Sequence, residues 1–388
     1  MPAILAAHRT PIGRLLGGLS RVPSPTLGSF VIEAVLDQVP AARDHVDECI
    51  MGCVLQAGLG QNPARQAALG AGLPASLSCQ TINKVCGSGL QSVMLAAQAI
   101  KAGDNQLVVA GGFESMSRAP HLSHIRAGVK FGPGDMLDHM QHDGLTCPFE
   151  GWAMGCAADY IADQHGISRQ DQDRFSAQSH QRAAAAQEAG HFRAEMIVLD
   201  GQRVKQKYEV NIDEGVRADS SVEGLAKLRA AFGKEGTVTA GNASQISDGA
   251  AALLIASEEM ANNIGAAPLA QIAGYNTVGV EPKLIFSAPA KGIAKLLKDH
   301  NLTVDDVDLF EINEAFAAQA MANAKELGVP EEKMNICGGG VALGHPIGAS
   351  GARVLTTLVN QMVRTDAKKG IASLCLGGGN AVSMLIER

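Results

Sequence analysis

A pattern of turn, helix and strand occurs twice in the chain and limits the folds that the chain can adopt. In the first copy, a small-residue turn after Cys86 leads into the helical pattern "LQSVMLAAQAIKAG" and then the strand-like "NQLVVAGG". In the second, "PIGASG" after His345 leads into "ARVLTTLVNQMVRTDAKKG" and the strand-like "IASLCLGGG". Short, continuous apolar runs bounded by turns are typical of strands buried on both faces. The repetition predicts an α/β protein built from two related halves.

The segment between the two halves has a different character. Residues 119–239 are richer in Asp, Gln, His and Arg, and Ser168 with Asp171 predicts a capping box for a helix that runs to Gly190. So long a segment is not expected as a structureless loop in a compact domain. We therefore predict a first half of 1–118 plus 240–265, an inserted domain of 119–239, and a second half of 266–388.

Charge and hydropathy exclude several classes of protein. The net charge of −7 disfavours a general nucleic-acid binder, and no apolar run is long enough to cross a bilayer. The first residues lack the basic region and the cleavage signal of a secretory leader, so we expect a cytoplasmic protein.

The eight cysteines are scattered, which predicts free thiols and no structural metal site. Dinucleotide, phosphate-loop and serine-elbow motifs are absent from the sequence.

Three reactive side chains lie beside glycine-rich turns. Cys86 precedes a helix start, where backbone N–H groups and the helix dipole would lower the pKa of its thiol. His345 precedes a second helix start, and Cys375 ends a buried strand before three glycines. A single buried cysteine is usually a small hydrophobic residue, and a lone histidine is usually a surface or core residue. The shared context favours a cysteine-nucleophile enzyme, but pattern alone does not decide between the two interpretations.

At these segments the sequence closely resembles the thiolase family. "NKVCGSGL", "NEAFA", "GGGVALGHPIGASG" and "CLGGG" match four ordered family blocks, and the resemblance covers essentially the whole chain. It implies the thiolase fold, in which two duplicated βαβαβαββ halves form five layers, α-β-α-β-α, with an inserted loop domain that binds coenzyme A. It also implies a homo-oligomer, either a dimer or a tetramer.

The resemblance implies a role for each catalytic residue. Cys86 would accept an acyl group from coenzyme A as a thioester, and His345 would take its proton. Cys375 would exchange a proton with the α-carbon of the second acetyl-CoA. One oxyanion hole would consist of the N–H groups of Cys86 and Gly377, and the other of His345 and, through a water, Asn313. A Claisen condensation needs both a covalently held acyl group and a stabilised enolate.

Coenzyme A would enter as a substrate, with no metal, prosthetic group or other cofactor required. The family pattern for its binding carries over to six positions: Met154, Arg217, Phe232, Ala240, Ser244 and Phe316. "GASGAR" and "WAMG" favour the short-chain, acetoacetyl-CoA group of the family. Ala153 departs from the pattern, because a histidine usually precedes this Met-Gly, and this departure leaves the acyl-chain preference open.

The sequence therefore predicts an acetyl-CoA C-acyltransferase that forms or cleaves acetoacetyl-CoA by a ping-pong route. A thiolase of β-oxidation that accepts longer or more varied 3-ketoacyl chains is an alternative within the same family. A decarboxylating ketoacyl synthase would pair its cysteine with two histidines, or with His and Asn, and would not need Cys375. A non-catalytic acyl-CoA or lipid binder is a further alternative, although the presence of Cys86 and His345 disfavours it.

Overall fold

A computed structural model describes all 388 residues of the chain. Twelve strands are present: β1 (Ala3–Arg9), β2 (Gly13–Arg14), β3 (Glu48–Gly52), β4 (Ser78–Ile82), β5 (Leu107–Ser115), β6 (His121–Leu122), β7 (Leu137–Asp138), β8 (Ser247–Ala256), β9 (Ala270–Gly279), β10 (Leu309–Ile312), β11 (Lys369–Leu376) and β12 (Asn380–Glu387). Twelve α-helices connect them: α1 (Ser24–Gln38), α2 (Pro63–Gly70), α3 (Ser88–Ala102), α4 (Met154–His165), α5 (Arg169–Glu188), α6 (Gly201–Val204), α7 (Val222–Leu225), α8 (Glu258–Asn263), α9 (Ala288–Asp299), α10 (Ala317–Leu327), α11 (Gly340–Leu343) and α12 (Ser350–Thr365). The strands predicted from "NQLVVAGG" and "IASLCLGGG" are β5 and β11, and both are buried.

The two halves share one strand topology. The first half has the order β4-β3-β5-β8-β1, in which β3 and β5 are parallel and the pairs β5–β8 and β8–β1 are antiparallel. The second half has the order β10-β11-β12-β9 with the same alternation of direction. Its counterpart of β4 is reduced to a single parallel bridge between Phe310 and Met334 beside β10. The predicted duplication is therefore confirmed at the level of strand order and direction.

The hydrophobic core is divided into layers by the alternation of side chains along the strands. In β5, Leu107 and Val109 pack with α1 and α2 in an outer cluster, whereas Val108 and Ala110 pack with α3 and α12 in a middle cluster. The middle cluster also contains side chains of β11 and β12, and α9 and α10 cover the other face of the second half. Side chains of a strand alternate between its faces, so each half is covered on both sides. The order of layers is α-β-α-β-α, as predicted.

The middle layer is built on a close approach of α3 and α12, the two helices of the repeated pattern. A Cβ on Gly89 would lie 2.6 Å from the backbone nitrogen of Ala352, and a Cβ on Gly351 would lie 2.3 Å from that of Leu90. Both distances are too short for any side chain, so only glycine allows the helix starts to meet. The small residues of the two turns thus bring Cys86 and His345, which precede these helices, to one side of the molecule.

The segment between β5 and β8 contains α4 to α7. The predicted capping box is present: the Ser168 hydroxyl accepts a hydrogen bond from the Asp171 N–H at 3.1 Å, and the Asp171 carboxylate accepts from the Ser168 N–H at 3.2 Å. Helix α5 ends at Glu188, close to the predicted end. The precise division of the chain at 119–239 remains a prediction. No helix combines the length and the hydropathy that a membrane span requires.

Candidate active site

Cys86 lies in a tight turn between β4 and α3. The preceding residue, Val85, has a φ of +48°, which is rare for a β-branched side chain and costs about 1–3 kcal/mol. The Ser88 hydroxyl holds this turn, because it donates to the Val85 carbonyl at 2.7 Å and accepts from the Lys84 N–H at 2.8 Å. The turn ends as α3 begins at Ser88, so the predicted helix start after Cys86 is confirmed.

Residues from both halves enclose an apolar cavity of about 290 Å³. Cys86, His345, Cys375 and Gly377 all line it, so the three reactive side chains predicted from the sequence share one site. Cys375 is the penultimate residue of β11, and Gly377 follows that strand. A larger groove of about 680 Å³ lies between α5 and α10 and contains none of these four residues.

The two thiols are protonated in the free protein. Cys86 opens onto the cavity, but the apolar side chains around it raise the pKa of its thiol to about 12. The N–H groups of Cys86 and Gly377 favour the thiolate, but their effect is smaller than that of burial. Burial, together with the nearby Cys86, also raises the pKa of Cys375. The predicted lowering of the pKa of Cys86 at a helix start is therefore wrong, because removal of the thiol from water outweighs it.

His345 is a neutral base with a defined tautomer. Its Nδ1 lies 2.5 Å from the Ser350 hydroxyl oxygen, which in turn donates to the Pro346 carbonyl at 2.9 Å. Because a hydroxyl has only one proton, this oxygen must accept from Nδ1–H, which leaves Nε2 without a proton. Burial, with a smaller effect of the Arg353 guanidinium, lowers the pKa of His345 to about 3. The imidazole therefore rests uncharged and able to accept a proton at Nε2.

Asn313 lies beside His345, behind the surface of the cavity. Its side chain is buried, and its Nδ2 is 3.5 Å from His345 Nδ1. Its Oδ1 has no hydrogen-bond partner in the protein. A buried polar oxygen without a partner is costly unless a ligand or a solvent molecule satisfies it.

The six positions predicted to bind coenzyme A separate into two groups. The cavity is lined by Met154, Phe232, Ser244 and Phe316, and the rings of the two phenylalanines meet edge to face with centroids 6.3 Å apart. Arg217 and Ala240 do not line it: the Arg217 N–H donates to His180 Nδ1 at 3.2 Å, and Ala240 lies at the surface. The contact of all six residues with coenzyme A remains a prediction.

Sequence reasoning missed the residues that hold the reactive groups in place. Ser350 fixes the tautomer of His345, and the Gln245 carbonyl accepts a hydrogen bond from the His345 N–H at 3.1 Å. Ser350 is the first residue of α12 but makes no helix-capping hydrogen bond, so no capping pattern points to it. Gln245 carries no sequence signal either, because a backbone carbonyl is available from any residue. No group of three or more His, Cys, Asp or Glu side chains is arranged to hold a metal ion.

Comparison with known proteins identifies the family. Residues 2–259 match the family model described as "Thiolase, N-terminal domain", and residues 266–388 match "Thiolase, C-terminal domain". The chain belongs to the thiolase family. An acetyl-CoA acetyltransferase of Chromobacterium violaceum is 52% identical over all of this chain and 99% of the relative, and one of Cupriavidus necator is 48% identical over 99% and 98%. A probable acetyl-CoA acyltransferase of Staphylococcus aureus is 47% identical over 99% of this chain and 98% of the relative.

These matches confirm the predicted family and, with the layered structure, the predicted fold class. The acyltransferase class predicted from the motifs agrees with the names of all three relatives. The second cysteine to which the resemblance assigns a role, Cys375, lines the cavity with Cys86 and His345. A decarboxylating ketoacyl synthase, which was the alternative enzyme, does not need that thiol.

Proposed function

We propose that this protein is an acetyl-CoA C-acyltransferase that reversibly cleaves and forms 3-ketoacyl-CoA, with acetoacetyl-CoA as its main substrate. The observation that carries the proposal is the convergence of Cys86, Cys375 and His345 on one apolar cavity. Two thiols and one neutral imidazole supply a nucleophile, a base and a second proton donor. The names of the relatives support acetyl-CoA as the substrate.

Cleavage begins with attack of the Cys86 sulfur on the 3-keto carbon of acetoacetyl-CoA. His345 Nε2 takes the thiol proton as the S–C bond forms, because the free thiol is protonated and the imidazole is neutral. The N–H groups of Cys86 and Gly377 face this sulfur and stabilise the oxyanion that develops beside it. The bond between C2 and C3 then breaks, which leaves an acetyl thioester on Cys86 and the enolate of acetyl-CoA.

The enolate takes a proton from Cys375 and leaves as acetyl-CoA. Asn313 and His345 stabilise the enolate oxygen, and the unpartnered Asn313 Oδ1 supports the predicted water between Asn313 and that oxygen. The Cys375 thiolate then takes the proton of the coenzyme A thiol as the coenzyme A sulfur attacks the acetyl-Cys86 thioester. The bond between the acetyl carbon and the Cys86 sulfur breaks, the second acetyl-CoA leaves, and His345 returns its proton to Cys86. Condensation is the reverse of these steps and needs no metal or prosthetic group.

The cavity supports a short acyl chain and entry of pantetheine from the side of α4. Its volume of about 290 Å³ is at the small end of ligand pockets. Met154 and Phe232 provide apolar contacts for the thin pantetheine arm, and the Ser244 hydroxyl can bond to one of its amides. Ala153 also lines the cavity, where the family usually has a histidine, so this side of the site is less polar.

We further propose that the protein works in the cytoplasm, in fatty acid metabolism, as a homo-oligomer and without nucleic-acid or membrane partners. Ile125, Val129, Phe131 and Met136 support a homo-oligomer, either a dimer or a tetramer, because all four are exposed on one hairpin. The exposed fraction of Phe131 reaches 100%, and large apolar side chains exposed together on one segment are typical of interaction surfaces.

Mass spectrometry after incubation with acetyl-CoA tests the proposal. We expect one added acetyl group on Cys86 and none on the other seven cysteines. Cys375→Ser should keep this acetylation but lower the rate of condensation at least 100-fold. Acetylation elsewhere, or condensation at the wild-type rate in Cys375→Ser, would contradict the assignment.

Turnover with 3-ketoacyl-CoA of increasing chain length distinguishes acetoacetyl-CoA from the longer-chain alternative, and no turnover at any length points to a binding protein.

A further inference from the structure

Glu114 is a buried carboxylate near the end of β5 that the mechanism above does not use. None of its surface is exposed, and it accepts three backbone hydrogen bonds. The donors are the N–H groups of Val54 at 3.0 Å, Leu55 at 3.2 Å and Gly348 at 3.0 Å. A buried carboxylate is costly, so three charge-assisted hydrogen bonds at one residue indicate a specific role.

The three donors belong to different halves of the protein. Val54 and Leu55 follow β3 in the first half, whereas Gly348 lies in the turn between His345 and α12 in the second half. The contact with this turn is close: a Cβ on Gly348 would lie 2.7 Å from Glu114 Oε2 and 2.9 Å from the Phe113 carbonyl. The end of β5 is therefore pressed directly against the turn that carries the catalytic histidine.

The segments that Glu114 joins also form one wall of the active site. Val54, Leu55, Met116 and Ile347 constitute a small hydrophobic cluster, and Cys86 packs against it. Met116 and Ile347 line the cavity itself. A shift of the turn relative to the loop after β3 would thus move His345 and the cavity wall together, away from Cys86.

We propose that Glu114 is a positioning residue that fixes the His345 turn of the second half against the Cys86 half. The proposal rests on the proposed function, because it assigns a partner to the His345 and Cys86 of that mechanism. A glutamine at this position would retain one acceptor oxygen, but its amide would present N–H groups to backbone N–H donors. An aspartate would keep the charge but would be one methylene too short to reach all three donors.

The charge of Glu114 also acts on Cys86. Burial raises the pKa of Glu114 to about 7, although the three N–H groups and the Cys53 thiol, 3.7 Å away, oppose this effect. Above that pH the carboxylate is charged, and its charge is one of the causes that raise the pKa of the Cys86 thiol. Removal of the charge should therefore make Cys86 easier to ionise. This effect distinguishes a carboxylate near the site from a merely structural residue.

Glu114→Gln tests the proposal through two measurements. In acetoacetyl-CoA cleavage, we expect kcat to fall roughly 10- to 100-fold with KM within about twofold, because His345 is displaced and coenzyme A contacts are not. In alkylation of Cys86 by iodoacetamide, we expect the pH profile to shift to lower pH. Alkylation does not depend on turnover, so it still tests whether the charge of Glu114 acts on Cys86 if the proposed reaction is wrong.

Asp248→Asn is the matched control. Asp248 is equally buried, pairs with Ser115 across β5 and β8, and accepts the Ser117 N–H at 2.9 Å, but its side chain makes no hydrogen bond to the His345 turn. We expect its kcat and its alkylation profile to match those of the wild type. If Glu114→Gln does not fold, Glu114→Asp tests the proposal in its place. We expect Glu114→Asp to have a lower kcat than the wild type but the same alkylation profile. Wild-type kcat in Glu114→Gln, or in Glu114→Asp if only that variant folds, would overturn the proposal.

Discussion

At the scale of single residues, the site depends on protonation states that neighbouring groups impose. Burial raises the pKa of Cys86 and lowers the pKa of His345, so the pair rests as thiol and imidazole rather than as an ion pair. Proton transfer then accompanies attack on the substrate. Ser350 determines which imidazole nitrogen is free, because its hydroxyl accepts a hydrogen bond from His345 Nδ1.

We expect Ser350→Ala to lower kcat roughly 10- to 100-fold, because the imidazole can then adopt the tautomer that carries its proton on Nε2. KM for acetoacetyl-CoA should change by less than about twofold, since Ser350 lies outside the cavity lining. Steady-state kinetics across the pH range measures both quantities.

Ser92→Ala is the control for this change. Ser92 is also a buried helix serine, but its hydroxyl bonds to the carbonyls of Gly89 and Gly111, away from His345. Its kinetics should equal those of the wild type. Equal kcat in Ser350→Ala and Ser92→Ala would show that Ser350 does not set the tautomer.

At the scale of secondary-structure elements, the two repeated helices determine where the reactive residues lie. Helices α3 and α12 touch through Gly89 and Gly351, with no space for a side chain at either position. The sequence repetition predicts both helices and their preceding turns, and the structure confirms them. Their face-to-face contact depends on the packing of the two halves, which a pattern along the chain does not contain.

We expect Gly351→Ala to lower the free energy of unfolding by about 1–3 kcal/mol, because the added methyl would meet the backbone of Leu90. Activity should fall more than stability, since α12 begins beside the His345 turn. Denaturant unfolding and turnover at a temperature where the variant is folded measure the two effects separately.

The control is Gly279→Ala, where the nearest atom to the new Cβ is 3.7 Å away on the Asn380 side chain. A methyl at that distance makes an ordinary contact, so stability and activity should stay close to wild type. If Gly351→Ala is as stable and as active as Gly279→Ala, the close approach of the helices is not required.

At the scale of the whole molecule, buried ion pairs connect the chain between β5 and β8 to the central layers. Arg9 of β1 bonds to Glu195 at 2.6 Å and to Asp213 at 2.7 Å, and all three side chains are fully enclosed. Glu195 also accepts a hydrogen bond from Thr357 of α12 at 3.0 Å. This network therefore fixes the intervening segment to both halves.

We expect Arg9→Met to lower the free energy of unfolding by about 3–5 kcal/mol, because Glu195 and Asp213 would then be buried without a counter-charge. Lys295→Ala should change the free energy of unfolding by less than about 0.5 kcal/mol, because the ion pair of Lys295 with Asp299, at 2.5 Å, is exposed to solvent. Denaturant unfolding at one protein concentration compares the two. Similar losses in both variants would mean that the buried network does not contribute as argued.

The duplicated α/β architecture can be predicted from the sequence, because turn residues and buried strands are local signals. The resemblance to the thiolase family then adds the roles of Cys86, His345 and Cys375. The resemblance also predicts coenzyme A contacts at Ser244, Met154, Phe232 and Phe316, and these four residues line the cavity. The protonation states and the supporting residues depend on contacts between residues that are far apart in the chain, so no local pattern predicts them. The pKa of Cys86 follows from its enclosure by both halves, so the local helix-dipole argument predicted the wrong direction. Ser350 and Glu114 act through contacts that exist only once the chain is folded.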